Sequence, residues 1–219
     1  MAFIEIIAEF FKDSTFIYAT KPFLMPVLLL LYLTKSNQKN LLFIGSFIFV
    51  WIANIQFISN TPNSIFWGSV FFLIYRIFVI LLAFRLLKFP GYFPLILGCL
   101  PFLFIYLFVA NIIYNDLEQQ IYLFIIQGIF TIVFGGYCLG NYIFKSNKSN
   151  TYLLISTMLF TITQFILVLK NYYISFNIFQ PMAMLLFVFG QYFLYLFVIE
   201  DDKKKTRFLI INKNKNREQ

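Results

Sequence analysis

The chain has 219 residues, of which 61% are apolar and only 12% are charged, with 32 phenylalanines and no histidine. Soluble domains are about half apolar and about a quarter charged, so this composition predicts an integral membrane protein with one membrane domain. The lack of histidine excludes His-based catalytic triads and histidine metal sites, and the chain has no phosphate loop or other motif that indicates a cofactor or metal.

The first fifteen residues are too short to span a bilayer, because a transmembrane helix needs about 20 mostly apolar residues. Glu5 and Glu9 fall on one helical face, and the apolar residues fall on the other, a pattern typical of a helix that lies at the membrane interface. The apolar face consists of Phe3, Ile4, Ile6, Ile7, Phe10 and Phe11. We therefore expect 1–15 to form an interfacial amphipathic segment, with a short eighth span as the alternative.

Seven apolar stretches follow, each close to the length of a transmembrane helix and separated from the next by a short polar loop. This spacing predicts an all-α bundle of seven transmembrane helices over 16–200, or eight if the first segment also crosses. The stretches are 16–33, 41–59, 64–84, 93–114, 120–144, 151–169 and 174–199.

Basic residues are concentrated on one side of this predicted bundle. Thirteen lie in alternate loops and in the polar tail, 201–219, whereas only Lys12 and Lys170 lie on the other side. The positive-inside rule therefore predicts a cytoplasmic C-terminal tail, and we expect the protein in the plasma (inner) membrane. Because topology explains where the charges lie, the net charge of +8 does not indicate nucleic-acid binding.

Two ionisable residues, Lys21 and Arg76, lie inside the predicted spans, and no Asp or Glu accompanies them there. Such residues are functional hypotheses by default. Lys21, Asn54 and Gln164 each lie five residues from the outer end of their stretch, roughly 8 Å deep. We therefore expect an outward-facing polar pocket lined by these three side chains. The alternatives are that Lys21 snorkels to the headgroups, and that Arg76 pairs structurally with amides, Tyr hydroxyls or backbone carbonyls.

Small residues in the fifth stretch predict close packing between helices. Gly136 and Gly140 form a GxxxG pair, whose usual role in membranes is helix contact. Cys99 and Cys138 both lie inside apolar stretches, which predicts small packing residues and no disulfide framework.

Five segments resemble, in order, the helices of the YhhN-like lysoplasmalogenase family. They resemble its Lys-Pro helix, its S-L-x-G-D helix, its G-x-x-F-x-x-x-H helix, its late L-F-x-x-S-D segment and its final A/G-Q helix. The segments, which extend from about residue 18 to residue 200, are YATKPFLMPVLLLLYL, SFIFVWIANIQF, WGSVFFLIYRIF, STMLFTITQFIL and FVFGQYFLYLFV. The resemblance implies a membrane enzyme, usually with eight spans, that cleaves the vinyl ether bond of lysoplasmalogens and releases a fatty aldehyde.

The sequence departs from the family pattern at the positions that matter for this chemistry. The first family aspartate aligns with Asn54 and the late aspartate with Gln164, and the family histidine falls near Ile74 or Tyr75. Lys21, the proline after it, and Gln191 match directly. Vinyl ether hydrolysis begins with proton donation to carbon, for which a carboxylic acid with a raised pKa is suited and an amide is not.

The resemblance therefore leaves two functions open for a chain that takes a single-chain lysolipid, with its head near Lys21 and its tail between helices. One is an ether hydrolase with altered catalytic groups, in which Lys21 or a Tyr acts as the acid. The other is a non-catalytic homologue with a lipid-binding or membrane-structural role. A solute transporter is less supported, because no internal repeat is evident. The implied catalytic positions are Lys21, Asn54 and Gln164, and the implied substrate-binding positions are Arg76, Tyr75 and Gln191.

Overall fold

The structure of the protein is a computed structural model, which describes residues 2–11, 13–59, 61–113, 121–172 and 176–215. Helices account for nearly all of these residues, and no strand occurs among them. The helices are α1 (Ala2–Phe11), α2 (Ser14–Lys35), α3 (Leu41–Gln56), α4 (Pro62–Leu86), α5 (Tyr92–Ile113), α6 (Ile121–Phe144), α7 (Lys148–Tyr172) and α8 (Phe179–Lys215). The all-α membrane bundle predicted from composition is confirmed.

The seven predicted stretches correspond to α2–α8, and six of these helices are long and apolar enough to cross a membrane. The exception is α3, whose 16 residues span about 24 Å, less than the roughly 30 Å of a bilayer core. The second stretch was therefore predicted too long, because the helix ends at Gln56 and a turn follows. The 10 residues of α1 reach only about 15 Å, so α1 cannot span by itself.

The helix starts follow the chemistry of capping. Asp13 caps α2, since its carboxylate accepts hydrogen bonds from the backbone N–H groups of Thr15 and Phe16. Thr61 caps α4, and Pro62 occupies the first turn of that helix, where its missing N–H would have no partner in any case. These caps fix where α2 and α4 begin, and thus how deep their polar residues lie.

Six helices (α2, α3, α4, α6, α7 and α8) enclose a common interior, while α5 packs on the outside of α6. The short helix α1 packs against α2 and α8. The loops at 36–40, 87–91 and 145–147 and the end of the bundle part of α8 share one end of the molecule, which we call the basic end. The side of the membrane that the basic end faces remains a prediction, and Lys12, one of the two basic residues expected on the other side, lies outside the described residues.

The half of the bundle nearest the basic end is filled by large side chains. They form one continuous cluster, which includes Tyr32, Phe43, Phe47, Leu82, Leu153, Leu194 and Phe197. The outer surface is also apolar, as Phe104 on α5 shows with 74% exposure. This distribution is typical of a protein that faces lipid.

Glycines allow α5 and α6 to pack very closely. A Cβ atom on Gly98 would lie 2.5 Å from the carbonyl oxygen of Gly136, and one on Gly140 would lie 2.9 Å from the carbonyl oxygen of Pro94. The packing role predicted for the GxxxG pair is thus confirmed, because its backbone is in direct contact with α5.

The last helix continues from the bundle into the basic tail without a break, so residue 200 lies inside a continuous helix. Asp202 on this extension is buried and binds the α2–α3 loop, where its Oδ2 accepts from the Asn37 N–H at 2.7 Å and the Ser36 hydroxyl at 3.1 Å. The carboxylate therefore fixes the loop to α8.

Candidate functional site

A cavity of about 160 Å³ lies among the helices, in the half of the bundle opposite the basic end. Helices α2, α3, α4, α6, α7 and α8 all contribute to its wall. The polar lining residues are Lys21, Asn54, Ser69, Gln127, Thr163, Gln164, Lys170 and Gln180. The other lining residues described are apolar, and they include Phe57, Phe72, Phe124 and Phe187. No Asp or Glu lines the cavity among the residues that the structure describes.

Three residues implied as catalytic, Lys21, Asn54 and Gln164, all line this cavity. They reach it from α2, α3 and α7, which begin or end at the same end of the bundle. A shared depth on three different helices therefore corresponds to a shared cavity. Their catalytic role stays a prediction, as does the binding of a lysolipid.

Lys21 forms a buried ion pair that the sequence did not indicate. Its Nζ lies 2.7 Å from Oε1 of Glu9, and its side chain is only 3% exposed. No Asp or Glu lies inside the predicted spans, and the partner of Lys21 comes instead from α1, the segment before them. Lys21 also does not snorkel, since its ammonium group points to α1 rather than to the solvent.

The carboxylates of α1 face the bundle, and its apolar side faces outward. Glu5 is fully buried and accepts a hydrogen bond from the Thr20 hydroxyl, whereas Ile7 is 56% exposed and Phe11 is 73% exposed. Burial raises the pKa of Glu5 above its ordinary value, while the Thr20 hydrogen bond and the charge of Lys21 act against this rise. The predicted segregation of polar and apolar faces is present, but the polar face meets protein. A position at the membrane interface stays a prediction.

Asn54 is buried, and its Nδ2 has no hydrogen-bond partner among the described residues. A buried amide donor without a partner is costly, by about 1–3 kcal/mol. Asn54 also lines the cavity, so this unsatisfied amide belongs to the cavity wall.

Arg76 lies beside the cavity wall and binds neutral groups. Its Nη2 donates to Oε1 of Gln164 at 2.6 Å, and its Nη1 donates to the Thr131 hydroxyl and, at 3.3 Å, to the Gln127 carbonyl. Its guanidinium also lies over the ring of Phe72, 5.3 Å from the centroid. The structural pairing with amides and carbonyls that the sequence left open for Arg76 is thus what the structure shows.

The same network fixes the amide of Gln164. Its Oε1 accepts from Arg76 and, at 3.0 Å, from the Thr131 hydroxyl, while its Nε2 donates to Oε1 of Gln127 at 3.0 Å. Sequence reasoning did not connect Thr131 and Gln127 with Arg76 and Gln164. The signal was that Gln127 and Thr131 lie four residues apart, on one face of the otherwise apolar α6.

Tyr75 and Gln191 are brought together, but not at this cavity. The Nε2 of Gln191 donates to the Tyr75 hydroxyl at 3.0 Å, and both side chains are buried. They lie about one helical turn beyond the cavity residues Phe72 and Phe187, toward the basic end. A role for Tyr75 and Gln191 in substrate binding stays a prediction that their position does not favour.

A proline explains one contact near the site. Pro26 has no N–H, so the carbonyl of Pro22 four residues earlier loses its helical partner. The indole Nε1 of Trp51 on α3 donates to that carbonyl at 2.6 Å. The Pro pair thus links α2 to α3 next to Lys21.

The sequence profile of the YhhN family matches residues 16–198, which is most of the chain. This protein belongs to the YhhN family. The resemblance seen in the five segments is therefore confirmed. No curated protein and no solved structure matches the chain. The match begins after α1, so Glu5 and Glu9, which reach Thr20 and Lys21, lie outside the part of this YhhN-family protein that the profile covers.

Proposed function

We propose that this YhhN-family protein binds a single-chain lipid in the cavity lined by Lys21, Asn54 and Gln164. The observation that carries the proposal is a mostly apolar cavity whose wall holds a few polar side chains, among them Asn54, whose Nδ2 has no partner among the described residues. Ligand sites of this kind bind the apolar part of a molecule on their walls and orient it through a few polar groups.

The size of the cavity supports one acyl chain. A buried water needs about 10–15 Å³, so the cavity has room for roughly ten waters or a chain segment of similar volume. Helices α4 and α6, which both line the cavity, contact each other over only a short length. A lipid chain would extend between these two helices toward the bilayer.

Vinyl ether hydrolysis is the second candidate function, and it is the activity that the resemblance implies. The observation that favours it is the Lys21–Glu9 pair, which places an ionisable carboxylate 2.7 Å from a cavity-lining ammonium. Asn54 and Gln164 occupy the positions of the two family aspartates, and an amide cannot donate the proton. In this mechanism Glu9 or Lys21 would donate it instead. The first candidate is supported better, because no carboxylate lines the cavity among the described residues.

One experiment separates the two functions. The full chain in nanodiscs is given a vinyl ether lysolipid, and both bound lipid and released aldehyde are measured. Saturable binding without aldehyde release is the result expected for the binding function. Aldehyde release that is lost in the paired variant Glu9→Gln/Lys21→Met, which removes both charges together, would establish hydrolysis instead. No saturable binding and no release would refute both.

We further propose that the basic end faces the cytoplasm of a cell whose plasma membrane holds the protein, as the distribution of Lys and Arg supports. Two single cysteine substitutions test this orientation, Thr61→Cys at the start of α4 and Ser146→Cys in the α6–α7 loop. Both positions are exposed. In intact cells a membrane-impermeant maleimide should label Thr61→Cys and not Ser146→Cys, and the reverse pattern would contradict the proposal.

A further inference from the structure

The charges around the cavity do not balance among the described residues. The charge of Lys21 is matched by Glu9, whose Oε1 lies 2.7 Å from the ammonium nitrogen. Arg76 has no carboxylate within ion-pair distance among the described residues, and its hydrogen-bond partners there are neutral. An arginine keeps its charge inside proteins. The charge of Arg76 therefore has no balancing carboxylate among the described residues, and it lies next to the cavity, where the low dielectric screens it poorly.

Gln164 stands between this charge and the cavity. Its Oε1 binds Arg76 at 2.6 Å, and the same side chain lines the cavity wall. Because Gln164 is a neutral amide, it satisfies hydrogen bonds of the guanidinium and leaves the charge in place. A carboxylate at this position would have cancelled it.

Asn54 adds a second, independent observation on the same cavity. This residue is only 6% exposed, and its Nδ2 has no partner among the described residues. A ligand head that suits this end of the cavity carries oxygen acceptors and a negative charge.

We propose that the single-chain lipid bound in this cavity is a long-chain carboxylate, an inference that rests on the lipid-binding function proposed above. The carboxylate lies beside Asn54 and Gln164 in the field of Arg76, and the alkyl chain packs on Phe57, Phe72 and their apolar neighbours. The negative charge of the carboxylate offsets that of Arg76 and is compatible with Lys170, a further cation on the cavity wall whose Nζ donates to Oε1 of Gln180 at 2.6 Å. A zwitterionic headgroup would bring a positive group as well, and the described lining residues offer no Asp or Glu to receive it.

The test measures displacement of a fluorescent C16 fatty acid from the full chain in neutral phosphatidylcholine nanodiscs at pH 8, where the carboxylate of the competitor is ionised. The competitors are palmitate, hexadecanol and a zwitterionic palmitoyl lysophospholipid, which share one chain length and differ in the head. We expect palmitate to compete about tenfold more strongly than either of the others. This comparison uses only the unmodified protein, so it is decisive whether or not a variant folds.

The variant Gln164→Glu tests the role of Arg76. The change is isosteric and creates an ion pair at the 2.6 Å contact, so it neutralises the charge without emptying the site. We expect palmitate binding to weaken about tenfold and hexadecanol binding to stay within about twofold. The matched control is Asn63→Asp, the same amide-to-acid change at an exposed position in the first turn of α4, about 20 Å along the helix from Arg76. This control should bind palmitate as the unmodified protein does.

The outcomes are distinguishable. Equal competition by palmitate and hexadecanol would refute the proposal that the ligand is a carboxylate, and so would equal palmitate affinity in Gln164→Glu and the unmodified protein. Either result would leave the proposed lipid-binding function standing. Stronger competition by the lysophospholipid would also refute the carboxylate, in favour of a phosphate-bearing head. If none of the three competitors displaces the probe, the lipid-binding function itself fails.

Discussion

Disrupting the buried pair between α1 and α2 is the perturbation with the clearest expected magnitude. Lys21 and Glu9 are 3% and 8% exposed at their side chains and lie 2.7 Å apart. Removing one partner of such a pair leaves a charge buried without compensation, which typically costs about 3–5 kcal/mol. We expect Glu9→Gln and Lys21→Met each to lower the free energy of unfolding by about 3 kcal/mol, the lower end of this range, because a polar or long side chain still fills the space.

The double variant Glu9→Gln/Lys21→Met should recover most of this loss, since neither charge then remains. The measurement is a detergent-denaturation series on the four proteins, followed by the fluorescence of Trp51, which contacts α2 through the Pro22 carbonyl. Asp201→Asn is the control, because it breaks the partly exposed Lys205–Asp201 pair and should change stability by less than about 1 kcal/mol.

Two results would refute this reasoning. Single variants that lose no more than the Asp201→Asn control would show that the pair is exposed in the folded protein. A double variant whose loss equals the sum of the two single losses would show that Glu9 and Lys21 do not interact.

Three further predictions concern packing, the α2–α3 loop and pH. Gly98→Ala should lower the free energy of unfolding by about 1–3 kcal/mol in the same series, because its Cβ would lie 2.5 Å from the Gly136 carbonyl oxygen. Asp202→Ala should speed hydrogen exchange at the Asn37 N–H, since it removes a charged acceptor worth on the order of 2 kcal/mol. Because burial raises the pKa of Glu5 above 4.5, the folded state keeps this proton longer than the unfolded chain does. Stability should therefore fall as pH rises from that value through the raised pKa, and Glu5→Gln should remove that fall.

The helices could be predicted from the sequence because hydrocarbon imposes a length and a composition on each span. Six of the seven predicted stretches became long apolar helices, with ends within a few residues of those expected. The end of α3 at Gln56 could not be predicted, because Phe57 and Ile58 continue the apolar run for two residues before Ser59. Hydropathy carries no signal for a helix that stops early within an apolar run.

The depth of Lys21, Asn54 and Gln164 could also be estimated from the sequence, because helix rise is constant. Whether the three helices turn these side chains toward one interior could not, since that depends on packing among six helices. The structure supplies this arrangement, and it also separates Tyr75 from the cavity by about one turn.

The partner of Lys21 was missed for a specific physical reason. A search for charge compensation that stops at the span boundaries cannot find a carboxylate on a short helix that folds back against the bundle. Glu5 and Glu9 lie four residues apart and share a helical face, which was read as a face toward water. Lys21 inside the next span was the signal that this face has a protein partner.

The most direct test of the binding cavity is a measurement of lipid binding to a protein whose cavity is filled. Ala183 lies on the cavity wall and is 2% exposed, so Ala183→Phe would place a ring in the space that a chain would occupy. Native mass spectrometry on the unmodified protein should show saturable binding of one single-chain lipid, and Ala183→Phe, at an unchanged unfolding midpoint, should show none. Equal binding by both proteins, or no saturable binding by either, would contradict a ligand site among these helices.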